Sequence, residues 1–294
     1  MSHLPAIKTN SAFGLDISGY STGGSGLAKA DRLKNDGFAV DIFSDHVFKK
    51  IINGNDKVTP ALSEEITAIK YLIENSILVV DTPIDLQGLP FVVNPTFIWE
   101  LALRPVDYAF KALPPLADKI GSPVCRFQNL LKSLPADLQN QLGISCFETY
   151  PAESLRKSEC IAEKYKGTAE YRAETGWTGS PSNKPLTRRL NDRFSQLLNN
   201  LEWEMTSNSE LTHDEFDAAI CAITGIVNTN DLLQNEKLEN EIKARVQTRL
   251  TNHHRNVPFR TNPPSGYRIL TRIPQKVILN RIAKFLIPNR GLKP

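Results

Sequence analysis

Residues 12–18 form a short apolar stretch that carries Asp16, and residues 19–26 behind it are dominated by glycine and serine. The first pattern predicts a strand and the second a turn, since strands need packable side chains and tight reversals need Gly and Ser. Residues 27–30 and 37–43 continue as the second and third strands of an antiparallel meander. After Pro60, the stretch Ser63-Glu64-Glu65 reads as a helix start, and Ile66, Ile69, Tyr71, Leu72 and Ile73 follow at helical spacing. Residues 77–80 are a continuous apolar run ending in Asp81, the pattern of a parallel strand buried on both faces. The order strand, strand, strand, helix, strand is therefore readable from periodicity.

Beyond Asp85 the pattern loosens. Residues 85–142 are rich in proline and predict short helices at 97–103, 106–113 and 126–134, an insertion at about 86–142. A second apolar run at 144–147 ends in Glu148. Residues 151–163 look helical, 166–185 read as a loop, and a long helix is expected over 187–204. In residues 212–227, Phe216, Ala219, Ile220, Ile223 and Ile226 mark one buried helical face. A further helix around 238–251 precedes a proline-punctuated end with a few short elements.

A length of 294 residues fits one large α/β domain or two smaller ones. No apolar run approaches the roughly 20 residues that span a bilayer. The opening residues lack the pattern of a signal peptide. Cys125, Cys146, Cys160 and Cys221 show no paired spacing for zinc or redox chemistry. A cytoplasmic, reduced protein without a membrane partner is expected. Charge divides the chain: from Ile242 onward there are 12 Lys or Arg and no Asp or Glu, whereas the residues up to Glu241 hold 23 basic against 32 acidic. That contrast separates residues 1–241 from a basic extension, 242–294, suited to a polyanion or to neutralising the acidic body.

Three apolar strands contain or end in an acid: Asp16, Asp81 and Glu148. A carboxylate there is costly unless it is paired, hydrogen-bonded or bound to a cation. Parallel strands deliver their C-terminal ends to one edge, where ligands usually bind. Asp214 and Asp217, three apart, project from one side of the helix after Thr212. Asp214 falls in the first turn, where a carboxylate also favours the helix dipole; Asp217 lies deeper, beside alanines, and suits a metal better. Clustered acids of this kind hold pairs of Mg²⁺ or Mn²⁺ ions in phosphodiester hydrolysis. Asp85 reaches the same edge only if the chain turns back at Pro83.

With these residues in view, the chain resembles the RNase-H-like superfamily, and within it a poorly characterised family of predicted nucleases. The markers are Gly14-Leu15-Asp16-Ile17-Ser18-Gly19, Val80-Asp81-Thr82-Pro83-Ile84-Asp85-Leu86, Arg104-Pro105-Val106-Asp107, Phe147-Glu148-Thr149-Tyr150-Pro151, Tyr165-Lys166-Gly167 and Asp214-Glu215-Phe216-Asp217-Ala218. The last also resembles the end of the active site in Holliday-junction resolvases. The resemblance implies an α/β RNase-H-like catalytic domain over 1–241, with a mixed five-stranded sheet flanked by helices. It also implies a hydrolase, a metal-dependent nuclease of DNA or RNA using two Mg²⁺ or Mn²⁺ ions. Asp16, Asp81, Glu148 and Asp217 match metal-binding positions, with Asp214 assisting. RNase H enzymes proper place a Glu on the first long helix; here Glu64 and Glu65 look like first-turn dipole partners instead.

Lys166, Arg188, Arg260 and Arg268 are the expected contacts to substrate phosphates, and Phe259 and Tyr267 among the tail arginines suit base stacking or packing. Gly23-Gly24-Ser25-Gly26 lacks the spacing of a phosphate loop and suits a hairpin. His213 and the pair His253-His254 suit structural or exposed roles better than metal binding. Two competitors stand beside the nuclease: a nucleic-acid-binding module without catalysis, and a sugar-kinase-like or ATPase relative. The latter needs a second glycine-rich phosphate loop, which the chain lacks.

Overall fold

The computed structural model describes residues 10–86 apart from 22, 35 and 54; 103–110, 112 and 115; 121–160; 198, 199 and 201–207; 211–251; and 263–287 apart from 265. These residues form a mixed eight-stranded sheet flanked by helices. The first half runs β1 (Ser11–Asp16), β2 (Gly26–Arg32), β3 (Phe38–Asp45), α1 (Val58–Asn75), β4 (Ile77–Val80), α2 (Pro105–Phe110), α3 (Gly121–Lys132) and α4 (Ala136–Gln139). The second half runs β5 (Cys146–Thr149), α5 (Pro151–Lys157), β6 (Trp203–Met205), α6 (His213–Ile226), α7 (Asn235–Thr251), β7 (Tyr267–Arg268) and β8 (Val277–Lys284). The expected meander, first helix and two later strands all appear.

The sheet order is β6-β8-β3-β2-β1-β4-β5-β7. Only β2 opposes the others, so seven strands deliver their C-terminal ends to one edge. Side chains alternate along each strand, and this sorts the core into two layers. Ala12, Ala28, Val40 and Val79 pack against Phe216, Ala219, Ile220 and Ile223 of α6. Phe13, Leu15, Leu78 and Val80 face the other way, onto Leu62, Ile69 and Leu72 of α1 and Phe127 and Leu130 of α3. A smaller third cluster joins Val106 and Phe110 of α2 to Leu238, Ile242 and Val246 of α7.

The five-stranded expectation falls short by the three strands after residue 200. Of the helix expected over 187–204, residues 187–197 and 200 lie outside the described residues, and Trp203–Met205 at its end is instead extended and pairs with β8. The basic segment is woven into the sheet: Val277 and Leu279 of β8 are buried beside β3, and β7 closes the opposite edge beside β5. The boundary at residue 241 therefore follows charge and not architecture, because it cuts through α7. Helix α5 stops at Lys157, short of 163, with Glu159 at φ 59°. Helix α3 begins at Gly121, five residues before the expected start at Arg126. The predicted helix at 97–103, except Leu103, and the loop at 166–185 lie outside the described residues. Among the described residues no helix is long and apolar enough to cross a membrane.

Candidate metal centre

Strands β1 and β4 are parallel neighbours with Leu15 opposite Val80, and the Asp81 N–H donates to Leu15 O at 3.0 Å. Asp16 and Asp81 thus stand one step beyond that pair, both on the face that receives α6. The helix comes unusually close there. A Cβ on Gly14 would lie 2.0 Å from Ala218 O, and one on Gly26 would lie 2.0 Å from Asp214 O. Glycine at these two points lets helix backbone rest on strand backbone and lowers Asp217 onto the sheet edge.

One carboxylate oxygen from each of Asp16, Asp81 and Asp217 lies within 4.8 Å of the other two. Asp217 is buried and the other two are half-buried, so the group has a closed floor and an open rim. At that spacing each pair of charges repels by about 3 kcal/mol at an effective dielectric of roughly 20. A divalent cation or a proton relieves such repulsion. The donor set is hard oxygen only, which suits Mg²⁺ or Mn²⁺ over softer ions. Bonds of about 2.1 Å to one octahedral ion hold its ligand oxygens roughly 3–4 Å apart, close to the spread here.

Glu148 is not part of this group, and the reason is register. It pairs with Val80, not Asp81, so its side chain leaves the sheet on the α1 face. There Arg104 Nη2 donates to Oε1 at 2.6 Å, Arg104 Nη1 to Oε2 at 2.8 Å and the Ile84 N–H to Oε2 at 2.9 Å. Arg104 also grips Asp107 through Nη2 at 2.7 Å and Nε at 2.8 Å. Burial alone would lower the Arg104 guanidinium; Glu148 and Asp107 outweigh it and hold it well above its ordinary value. Burial, and then Glu148, push the Cys146 thiol up to about 12. The position level with Asp81 on β5 belongs to Thr149, which the sequence does not single out.

The remaining expectations separate cleanly. Asp214 lies at the start of α6 outside the group of three; the helix is capped by Thr212 and Glu215, whose side chains and backbone N–H groups bond reciprocally at 3.2 and 3.0 Å. Burial would raise Glu215, but bonds from Arg281 and the Thr212 N–H hold it below the ordinary carboxylate range. Asp85 turns inward and its carbonyl accepts from Arg104 Nη1 at 2.9 Å. Gly23–Gly26 belongs to a hairpin, closed by the Ser18 N–H donating to Ser25 Oγ at 3.0 Å. Lys166, Arg188 and Arg260 lie outside the described residues, whereas Arg268 ends β7 at the same sheet edge.

Helix α1 starts earlier than expected, which carries Glu65 out of the first turn and into the interior. Arg126 meets it there, Nη2 to Oε1 at 2.6 Å, and donates onward to Ser18 O at 2.9 Å and Phe48 O at 3.1 Å. Two sealed arginines therefore fasten the loops that follow Asp16 and Asp81, Arg126 through Ser18 and Arg104 through Asp85. Both come from the helical insertion. A lone arginine inside an apolar stretch was the available signal for each. Comparison with protein-family models, with curated proteins and with solved structures finds no match to this chain.

Proposed function

We propose that this chain is a Mg²⁺- or Mn²⁺-dependent nuclease with an RNase-H-like core that hydrolyses phosphodiester bonds of DNA or RNA. The convergence of Asp16, Asp81 and Asp217 carries the reading. Their residues lie 65 and more positions apart in sequence, on two strands and a late helix, yet share one sheet edge. A divalent cation held by these three aspartates would supply Lewis acidity at a phosphoryl oxygen and would activate water for in-line attack. Asp16 and Asp81 present oxygens from adjacent, hydrogen-bonded strands, so their separation is fixed by the sheet. Asp217 closes the buried side, leaving the rim for a phosphate and water. With three protein carboxylates and not four, a second ion would draw more of its ligands from water and substrate.

The test uses purified protein with Mn²⁺ and labelled DNA and RNA oligonucleotides. Wild type cuts at least one polymer, and Asp16→Asn removes cutting while the circular dichroism spectrum is unchanged. Equal cutting by both proteins sinks the proposal, as does no cutting of either polymer.

The withdrawal of Glu148 from the metal-facing side favours one alternative, a binding module without catalysis. It requires nucleic-acid affinity that survives Asp16→Asn and needs no metal, with the steep salt dependence of phosphate contacts.

A further inference from the structure

Arg268 differs from the arginines that grip buried acids. Arg104, Arg126 and Arg281 each hold a buried carboxylate. Arg268 holds none among the described residues; its guanidinium lies on the Phe147 ring, 3.3 Å from the ring centre. The residue is half-buried and not sealed, unlike Arg104 and Arg126. Burial with no compensating acid lowers it to about 10, still a cation at neutral pH.

Its placement is set by register. Arg268 pairs with Thr149, and Thr149 stands level with Asp81 because Val80 pairs with Glu148. Alternation puts Phe147, Thr149 and Arg268 on the α6 face, the same face as Asp16 and Asp81. Thr149 Oγ1 donates to Arg268 O at 2.6 Å, tying the two edge strands at that level. Two strand spacings of about 4.8 Å separate Asp81 from Arg268 in the backbone, so roughly 10 Å.

We propose that Arg268, held over Phe147, binds a phosphate flanking the scissile one, so that the substrate is a nucleic-acid strand and not a lone phosphodiester. This rests on the metal-site reading above. A guanidinium stacked on an aromatic ring is oriented before substrate arrives and offers paired N–H donors to phosphate oxygens. A backbone separation of roughly 10 Å from Asp81 suits a neighbouring phosphate better than the one being cut. A contact made equally in ground and transition states acts on KM and leaves kcat alone.

The experiment compares wild type with Arg268→Gln and Arg268→Lys on a labelled oligonucleotide and on bis(p-nitrophenyl) phosphate, a diester with no flanking phosphate, both with Mn²⁺. Arg268→Gln raises KM for the oligonucleotide about ten-fold, the scale of one charge-assisted hydrogen bond, with kcat and small-diester hydrolysis unchanged. Oligonucleotide binding without turnover is measured by anisotropy in the Asp16→Asn background. There, Arg268→Gln reduces the salt slope by about 0.7 for a single strand, and Arg268→Lys restores the slope. Unchanged KM and affinity in Arg268→Gln overturn the inference, as does equal loss on both substrates. If wild type cuts neither substrate, the nuclease reading fails, and the anisotropy arm still decides whether Arg268 contacts a nucleic-acid phosphate.

Discussion

Arg104 reaches Glu148 through both terminal nitrogens, at 2.6 and 2.8 Å, in a pocket where the two side chains are 1% and 3% exposed. Each Glu148 oxygen is committed to this contact, and the Ile84 N–H on Oε2 ties the carboxylate to the loop behind Asp81. Glu148 therefore anchors that loop, outside the group of three aspartates.

Leaving a sealed charge without a partner costs about 3–5 kcal/mol, and Arg104 keeps Asp107 when Glu148 is neutralised, so the lower end applies. Glu148→Gln is expected to lower the urea unfolding free energy by about 3 kcal/mol, while the folded fraction still binds Mn²⁺ in calorimetry. Unchanged stability with lost Mn²⁺ binding would instead make Glu148 a ligand.

Asp81→Asn should do the reverse. It removes one of three mutually repelling carboxylates, so metal-free stability stays level or rises by about 1 kcal/mol, less than the pairwise repulsion because the rim is wet. Wild type gains about 2.7 kcal/mol when Mn²⁺ is at a hundred times its Kd, and Asp81→Asn loses most of that gain. Thermal melts with and without Mn²⁺ give both numbers.

Gly14→Ala tests the seating of α6. The added methyl would meet Ala218 O at 2.0 Å, Ala222 N at 2.3 Å and Cys221 Cβ at 2.8 Å, and two of these are backbone. Overpacking of this kind costs about 1–3 kcal/mol or more. The helix must shift away from the sheet, so Mn²⁺ affinity falls together with stability. A variant with weakened folding and intact metal affinity would show that the close approach is not what places Asp217.

His46, 4% exposed, lies beside the Ser25 backbone just before β2, and neither ring nitrogen makes a well-formed hydrogen bond among the described residues. Burial, reinforced by Lys49, lowers it to about 3. Unfolded histidine takes a proton near pH 6.5, so between pH 6.5 and 3 the unfolded chain binds more protons. Its contribution is thus full above pH 6.5 and is lost as pH falls, by about 2 kcal/mol at pH 5. Urea unfolding at pH 7.5 and pH 5 should show that loss in wild type and a smaller one in His46→Phe. Equal losses would place the pH sensitivity elsewhere.

Much of the site was legible in local pattern. The apolar runs that deliver Asp16 and Asp81, and the helical stripe that carries Asp217, are properties of neighbouring residues. Their period is written along the chain. Arg104 and Arg126 were less visible, since a buried arginine looks like a surface one until its carboxylate is located. Glu65 and Glu148 are those carboxylates, and each lies more than 40 residues from its arginine.

Glu148 marks where local pattern ends. All four residues of Cys146–Thr149 are buried, so their periodicity names no face. Pairing with Val80 names it, and a one-residue slip in that register would have sent Glu148 to the metal side. Trp203–Met205 and Val277–Lys284 make the same point at longer range: the first pairs with the second, more than 70 residues away, and the second lies between it and β3. Chemistry and period are carried by consecutive residues, but face and partner are set by register and packing between distant ones.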